Sequence, residues 1–188
     1  MKLSLRLAAQ LIALAAASLT AGFPVAEAQA TPFSEQEVDQ SDFVLVAAPI
    51  GSSGVHQLII LEQISADKQC WHESGSQPVV IDPLLVNFDF TGVCSRSTDS
   101  NGYSIRMAGE DLGARYLLKI RKTDADMVLM GFPDFKGNGD QEIELGRSNG
   151  VTNGFAKIEL NPEWQLTKRT FKEKTLGHIY LSDLTPKK

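Results

Sequence analysis

Beyond residue 42 this chain sustains no helical period. Short apolar runs follow one another, punctuated by Asn101-Gly102, Asn138-Gly139, Asn149-Gly150 and Asn153-Gly154. Asn-Gly supplies the positive φ angles that tight hairpins need. Phe43–Ala48 and Gln57–Glu62 read as buried strands, by their length and β-branching. Tyr103–Met107, Arg115–Arg121 and Ile143–Leu145 alternate apolar with polar residues, as do Leu84–Phe90. That period of two places alternate side chains on one sheet face. With further runs at Val79–Ile81, Met127–Met130, Phe155–Leu160, Gln165–Phe171 and His178–Leu181, the chain shows many short strands with regular turn signals, the pattern of a sandwich or barrel. The expectation is one all-β domain, an antiparallel β-sandwich of jelly-roll type, over residues 43–183.

The segment before it reads differently. Lys2 and Arg6 precede an apolar run from Leu7 to Ala21, and small-x-small sites follow at Ala26–Ala28 and Ala28–Ala30. This is the pattern of a secretory signal peptide over residues 1–30, cleaved after Ala28 or Ala30. No second long apolar stretch occurs, so the mature chain is expected to lack a transmembrane segment and to be periplasmic or extracellular. Residues 31–42 form an acidic leader. The Ser34/Glu37 spacing suits a capping box, so the leader is read as flexible or as a short helix. Residues 184–188 read as a flexible tail.

Export bears on the two cysteines. An oxidising compartment favours a Cys70–Cys94 disulfide. Closing a loop of that length contributes roughly 3 kcal/mol in the chain-entropy picture.

The block from Cys70-Trp71 through Ile81–Cys94 to Arg96–Arg106, with Leu176–Leu181 near the end, is distinctive. It resembles a cyanobacterial exported family that carries a domain of unknown function, over nearly the whole mature chain. The resemblance implies export and a cyanobacterial source. It implies no reaction.

Composition and motifs then remove function classes. A formal charge of −5 does not suit a protein built on phosphate contacts, so nucleic acid is not an expected partner. No G-x-S-x-G elbow, Walker loop or H-E-x-x-H helix is present. His56, His72 and His178 show no paired ligand spacing, so no metal site is assigned and no cofactor is expected. Asp134, Asn138, Asp140 and Glu142 resemble half of a calcium loop. Lys136 stands where an oxygen ligand belongs, so a structural calcium is only an alternative to a solvated hairpin. Glu73, Asp82, Asp89, Asp99 and Asp111 are carboxylates that a glycosidase could use, but nothing in the sequence pairs them.

A binding surface remains. Trp71 lies beside one cysteine, and Arg96, Asp99, Asn101 and Tyr103 follow the other. The disulfide would bring them together into an aromatic-polar patch suited to saccharide. Trp164 and Tyr180 are further aromatic candidates, and Lys168, Arg169, Lys172 and Lys174 make a local basic strip. The expected function is a non-catalytic binding or structural module for envelope or extracellular polysaccharide. The alternatives are an envelope hydrolase acting on a sugar or peptide, and a structural subunit of a surface assembly.

Overall fold

The computed structural model describes residues 33–134 and 141–184. Residues 1–32, 135–140 and 185–188, among them the whole expected signal peptide and most of the expected tail, lie outside the described residues. The strands in chain order are β1 (Ser34–Glu37), β2 (Phe43–Pro49), β3 (His56–Gln63), β4 (Trp71–Ser74), β5 (Val80–Pro83), β6 (Cys94–Ser97) and β7 (Tyr103–Met107). They continue with β8 (Glu110–Asp111), β9 (Tyr116–Lys122), β10 (Met127–Pro133), β11 (Ile143–Arg147), β12 (Ala156–Leu160), β13 (Trp164–Phe171) and β14 (Lys174–Asp183). One sheet runs β1-β13-β14-β7-β8. The larger runs β6-β3-β2-β12-β11-β10-β9, with β4 and β5 attached beside β12.

Alternation builds the core. Phe43, Leu45 and Ala47 of β2 and Leu58 and Ile60 of β3 face Tyr103, Ile105, Leu166, Ile179 and Leu181 of the smaller sheet. Leu129, Leu145 and Leu181 have no measurable exposure. Each such side chain contributes about 1.5–3 kcal/mol by leaving water. Gly146 lets β11 and β12 approach closely, because a Cβ there would lie 2.3 Å from the Glu159 carbonyl oxygen.

The two-sheet, all-β architecture agrees with the sequence reading, and so does the Cys70–Cys94 disulfide, whose Cα atoms are 5.9 Å apart. Four local features differ. First, β7 and β14 run parallel, in register from Ile179↔Tyr103 to Ser182↔Arg106, which sets the order apart from a regular jelly roll. Second, no capping-box helix starts at Ser34 in the acidic leader: Ser34–Glu37 is a strand on the edge of β13. An isolated helical turn pays its nucleation cost for one hydrogen bond, whereas the β13 edge supplies a ladder. A short 3-10 helix does follow, over Gln40–Asp42, capped by the Asp39 carboxylate on the Ser41 N–H.

Third, Leu84–Asn87 is a 3-10 turn rather than a strand. The Leu84 N–H bonds the Cys70 carbonyl, so the loop folds back on its own cysteine. Fourth, the β13–β14 hairpin turns at Lys172 and Glu173, with φ of 47° and 66°, without glycine or asparagine. Among the described residues no helix is long and apolar enough to cross a membrane.

Candidate functional site

The smaller sheet has a second face, and it is polar. The alternation that sends Ile105, Ile179 and Leu181 inward sends Ser104, Arg106, His178, Tyr180 and Ser182 outward. Register aligns Ser104 with Tyr180 and Arg106 with Ser182 across the parallel pair. Thr167 stands opposite Tyr180 on the other side. Arg169, two residues beyond Thr167 on β13, lies on the same face. The tight turn at Ala108-Gly109 then folds β8 back and delivers Asp111 opposite Arg106.

Asp111 is the hub. One carboxylate oxygen accepts from the Ser104 hydroxyl at 3.0 Å and from the Gly113 N–H at 2.9 Å. The other accepts from Arg169 at 2.5 Å and from the Tyr180 hydroxyl at 3.0 Å. Burial alone would raise its pKa, but these four donors and the Arg169 charge outweigh burial and hold it below the ordinary 3.8. Arg169 also donates from Nε to the Tyr180 oxygen at 2.6 Å. Its guanidinium lies between two rings, 4.7 Å from the Phe33 centroid and 4.9 Å from that of Tyr180. Burial, more than any neighbour, pushes the Tyr180 hydroxyl above its ordinary pKa.

His178 completes this end. Its Nδ1 is 2.8 Å from the Asn101 carbonyl oxygen, which can only accept, so Nδ1 carries the proton. Nε2 is then a bare acceptor, 3.1 Å from an Arg169 nitrogen and 2.8 Å from the Ser104 oxygen, whose single hydroxyl proton goes either to Nε2 or to Asp111. Burial lowers the pKa of His178 below 6.5, and the Arg169 charge acts in the same direction. Farther along the face, Glu35 of β1 accepts from Ser182 at 2.6 Å and Thr167 at 3.1 Å, and lies 3.3 Å from Arg106. Arg106 is 5% exposed, and its Nε and one terminal nitrogen have no hydrogen bond among the described residues.

A pocket of about 520 Å³ opens at the His178 end, with Phe33, Asn101, Asp111, Ala114, Arg169 and His178 in its wall. Ser104 is buried and does not reach that wall. The arrangement differs from a hydrolytic triad. In a triad the carboxylate orients the histidine and the serine stands ready to attack. Here a backbone carbonyl orients His178, and Asp111 holds the serine. The arrangement can receive hydroxyl groups: donors and acceptors alternate along the wall, and Arg169 offsets Asp111.

The sequence-derived surface does not assemble as one patch. Trp71 is half-buried against the outer layer of the larger sheet, and its indole N–H reaches Glu73 at 3.2 Å. Arg96 is exposed on that same outer face. Asp99 is exposed and shapes a turn through the Asn101 N–H at 2.8 Å. Tyr103 is a core residue, 6% exposed, donating to the Leu58 carbonyl at 3.1 Å, with its pKa pushed up to about 12 by burial and by the Asp99 charge. Trp164 is likewise core. Of the five residues only Asn101 meets the polar pocket.

The basic strip divides as well, since Lys168 is paired with Glu62 and Arg169 with Asp111. Asp111 is the one glycosidase candidate of the sequence that reaches this pocket. Glu73 is paired with Lys157 at 2.9 Å, and Asp82 and Asp89 are exposed. Of the calcium candidates, Asn138 and Asp140 lie outside the described residues, and Glu142 is held by Arg121 at 2.5 Å. Among the described residues no group of three or more His, Cys, Asp or Glu side chains is placed to hold a metal ion.

Sequence reasoning had named His178, Tyr180, Arg169 and Asp111 separately and passed over Ser104 and Phe33. The available signal was the Gly177–Ser182 alternation, where polar residues occupy every second position of a strand that is buried on both faces.

No curated protein and no solved structure matches this chain. A family model described as a protein of unknown function, DUF3747, matches residues 10–185, so the chain belongs to the DUF3747 family.

Proposed function

We propose that this protein is an exported, non-catalytic module that binds envelope or extracellular polysaccharide, and that the Arg169 pocket is where it does so. One observation carries the reading. The Arg169 guanidinium is held by Asp111 and Tyr180 and by two flanking rings, yet among the described residues its remaining terminal nitrogen makes no hydrogen bond, and it is not among the buried polar atoms left without a partner. A fixed donor beside a fixed carboxylate recognises neighbouring hydroxyls with little ordering cost. The pocket is open enough to admit one residue of a longer chain.

The hydrolase alternative draws on the 2.8 Å approach of Ser104 to His178. The burial of Ser104 weighs against it.

The test compares binding of the purified protein to a glycan array and to envelope fractions with that of Ala114→Trp, which fills the exposed pocket rim without touching the network. Binding at least tenfold weaker in Ala114→Trp, and unchanged in Trp71→Ala, is the expected result. Failure to bind any polysaccharide, or equal binding by Ala114→Trp, overturns the reading.

A further inference from the structure

The outer face of the larger sheet carries a second pocket of different chemistry. Val44 and Val46 of β2 and Leu61 of β3 point away from the main core. They are buried under Ile81, Leu85 and the Cys70–Cys94 bridge. The cover is incomplete. A pocket of about 240 Å³ remains, walled by Val46, Ala48, Ile59, Leu61, Leu85 and Phe155.

Among the described residues its wall includes one charged residue, Arg96, and no carboxylate. Arg96 stands opposite Leu61 in the β3–β6 ladder, so its side chain rises from the same face. It is exposed, and no hydrogen bond or ion pair engages it among the described residues. Lys157 offers the contrast. It stands opposite Val46 on this face and is held by both Glu73 oxygens, at 3.0 and 2.9 Å. Of these two cations, Arg96 alone lacks a countercharge.

An apolar recess with one uncompensated guanidinium at its wall matches a ligand with an apolar chain and an anionic head. We infer that this pocket binds a short acyl chain whose carboxylate or phosphate head is held by Arg96. The volume equals that of about eight waters at ~30 Å³ each, room for a chain of roughly that many carbons. Arg96 supplies a planar fork of donors to the head, which a neutral alcohol cannot exploit to the same degree. The site is separate from the Arg169 pocket and shares no wall residue with it.

Calorimetric titration of the protein with hexanoate, octanoate and decanoate, below their micellar concentrations, tests this. Expected are one site per chain and about fourfold tighter binding per added methylene until the recess is full. Octanol should bind at least tenfold more weakly than octanoate. Arg96→Gln, an exposed substitution, should erase that preference and keep the chain-length dependence. Ala48→Leu, which fills the floor, should weaken every chain length. Ala114→Trp should change nothing, so this result stands or falls apart from polysaccharide binding.

Co-sedimentation with phosphatidylglycerol vesicles, lost in Arg96→Gln, identifies the chain as that of a bilayer lipid. Octanoate binding without vesicle binding identifies a free amphiphile. Absence of octanoate binding, or equal octanoate binding by the protein, Arg96→Gln and Ala48→Leu, overturns the proposal.

Discussion

The two sheets share a core but bury their outer faces by opposite means. On the larger sheet the cover is apolar: Val44, Val46 and Leu61 lie under Ile81, Leu85 and the disulfide. On the smaller sheet Tyr180 has no measurable exposure, and Ser182, Ser104, Arg106 and His178 are all below a tenth exposed. Two hydrogen-bonded groups satisfy them, one around Glu35 and one running from Asp111 to the Asn101 carbonyl, and the Arg106 guanidinium over the Tyr180 ring joins the two. Apolar burial is non-directional and tolerates a gap, which is why a recess persists beside Arg96. Polar burial is directional. Each donor and acceptor left without a partner costs about 1–3 kcal/mol, so the smaller sheet's face is held in one geometry. The recognition proposed for the Arg169 pocket relies on that rigidity.

The comparison can be broken at either face. The largest effect is expected on the apolar side. Leu61→Ala removes a side chain that is 2% exposed and should cost about 3 kcal/mol in a denaturant titration, since the strapped loop above it can collapse only in part. A loss below about 1 kcal/mol would mean that the outer layer adds little to the fold.

The polar side should reveal itself through pH. His178 has a folded-state pKa below its unfolded value of 6.5, so the unfolded chain takes up a proton first. Stability is therefore full above pH 6.5 and falls as pH drops from there toward the folded-state pKa, by at most about 1.4 kcal/mol per pH unit. Asp111, also depressed, adds a second decline below pH 3.8, as the pH falls through its folded-state value. Thermal melts between pH 8 and pH 5 should show the upper decline in the native protein and not in His178→Gln. An unchanged profile in that variant would show that His178 does not carry it.

The smallest effect belongs to the rim of the apolar face. Lys157 and Glu73 are 30% and 38% exposed, so Lys157→Ala should cost less than about 1 kcal/mol. A larger loss would sharpen the contrast by showing that the apolar cover depends on an electrostatic latch.

Local pattern made some regions legible and left others hidden. β2, β3, β7 and β10 were evident because burial on a sheet face imposes its own spacing of apolar residues. β1 was not, because Ser34–Glu37 has no strand pattern of its own. Its conformation comes from the free edge of β13, more than a hundred residues away, and from Arg106, Thr167 and Ser182, which hold Glu35. The Lys172–Glu173 turn was hidden for a related reason. Its strained φ values are tolerated because the long β13–β14 ladder supports them. The proposed aromatic-polar patch failed because nearness along the chain was taken for nearness on one surface. Residues 96 to 103 cross from one sheet to the other, so Arg96 and Tyr103 face different layers.

By itself, then, the amino-acid sequence determined the all-β class, most of the strands and the pairing of Cys70 with Cys94. These follow from side-chain period, turn chemistry and the scarcity of other thiols. Tertiary structure alone decided that β7 lies parallel to β14, that Asp111 folds back beneath Arg169, and that Arg96 ends beside an apolar recess. Each depends on which strand edges meet across the sheet, and register between distant segments is set by packing that no local stretch of chain encodes.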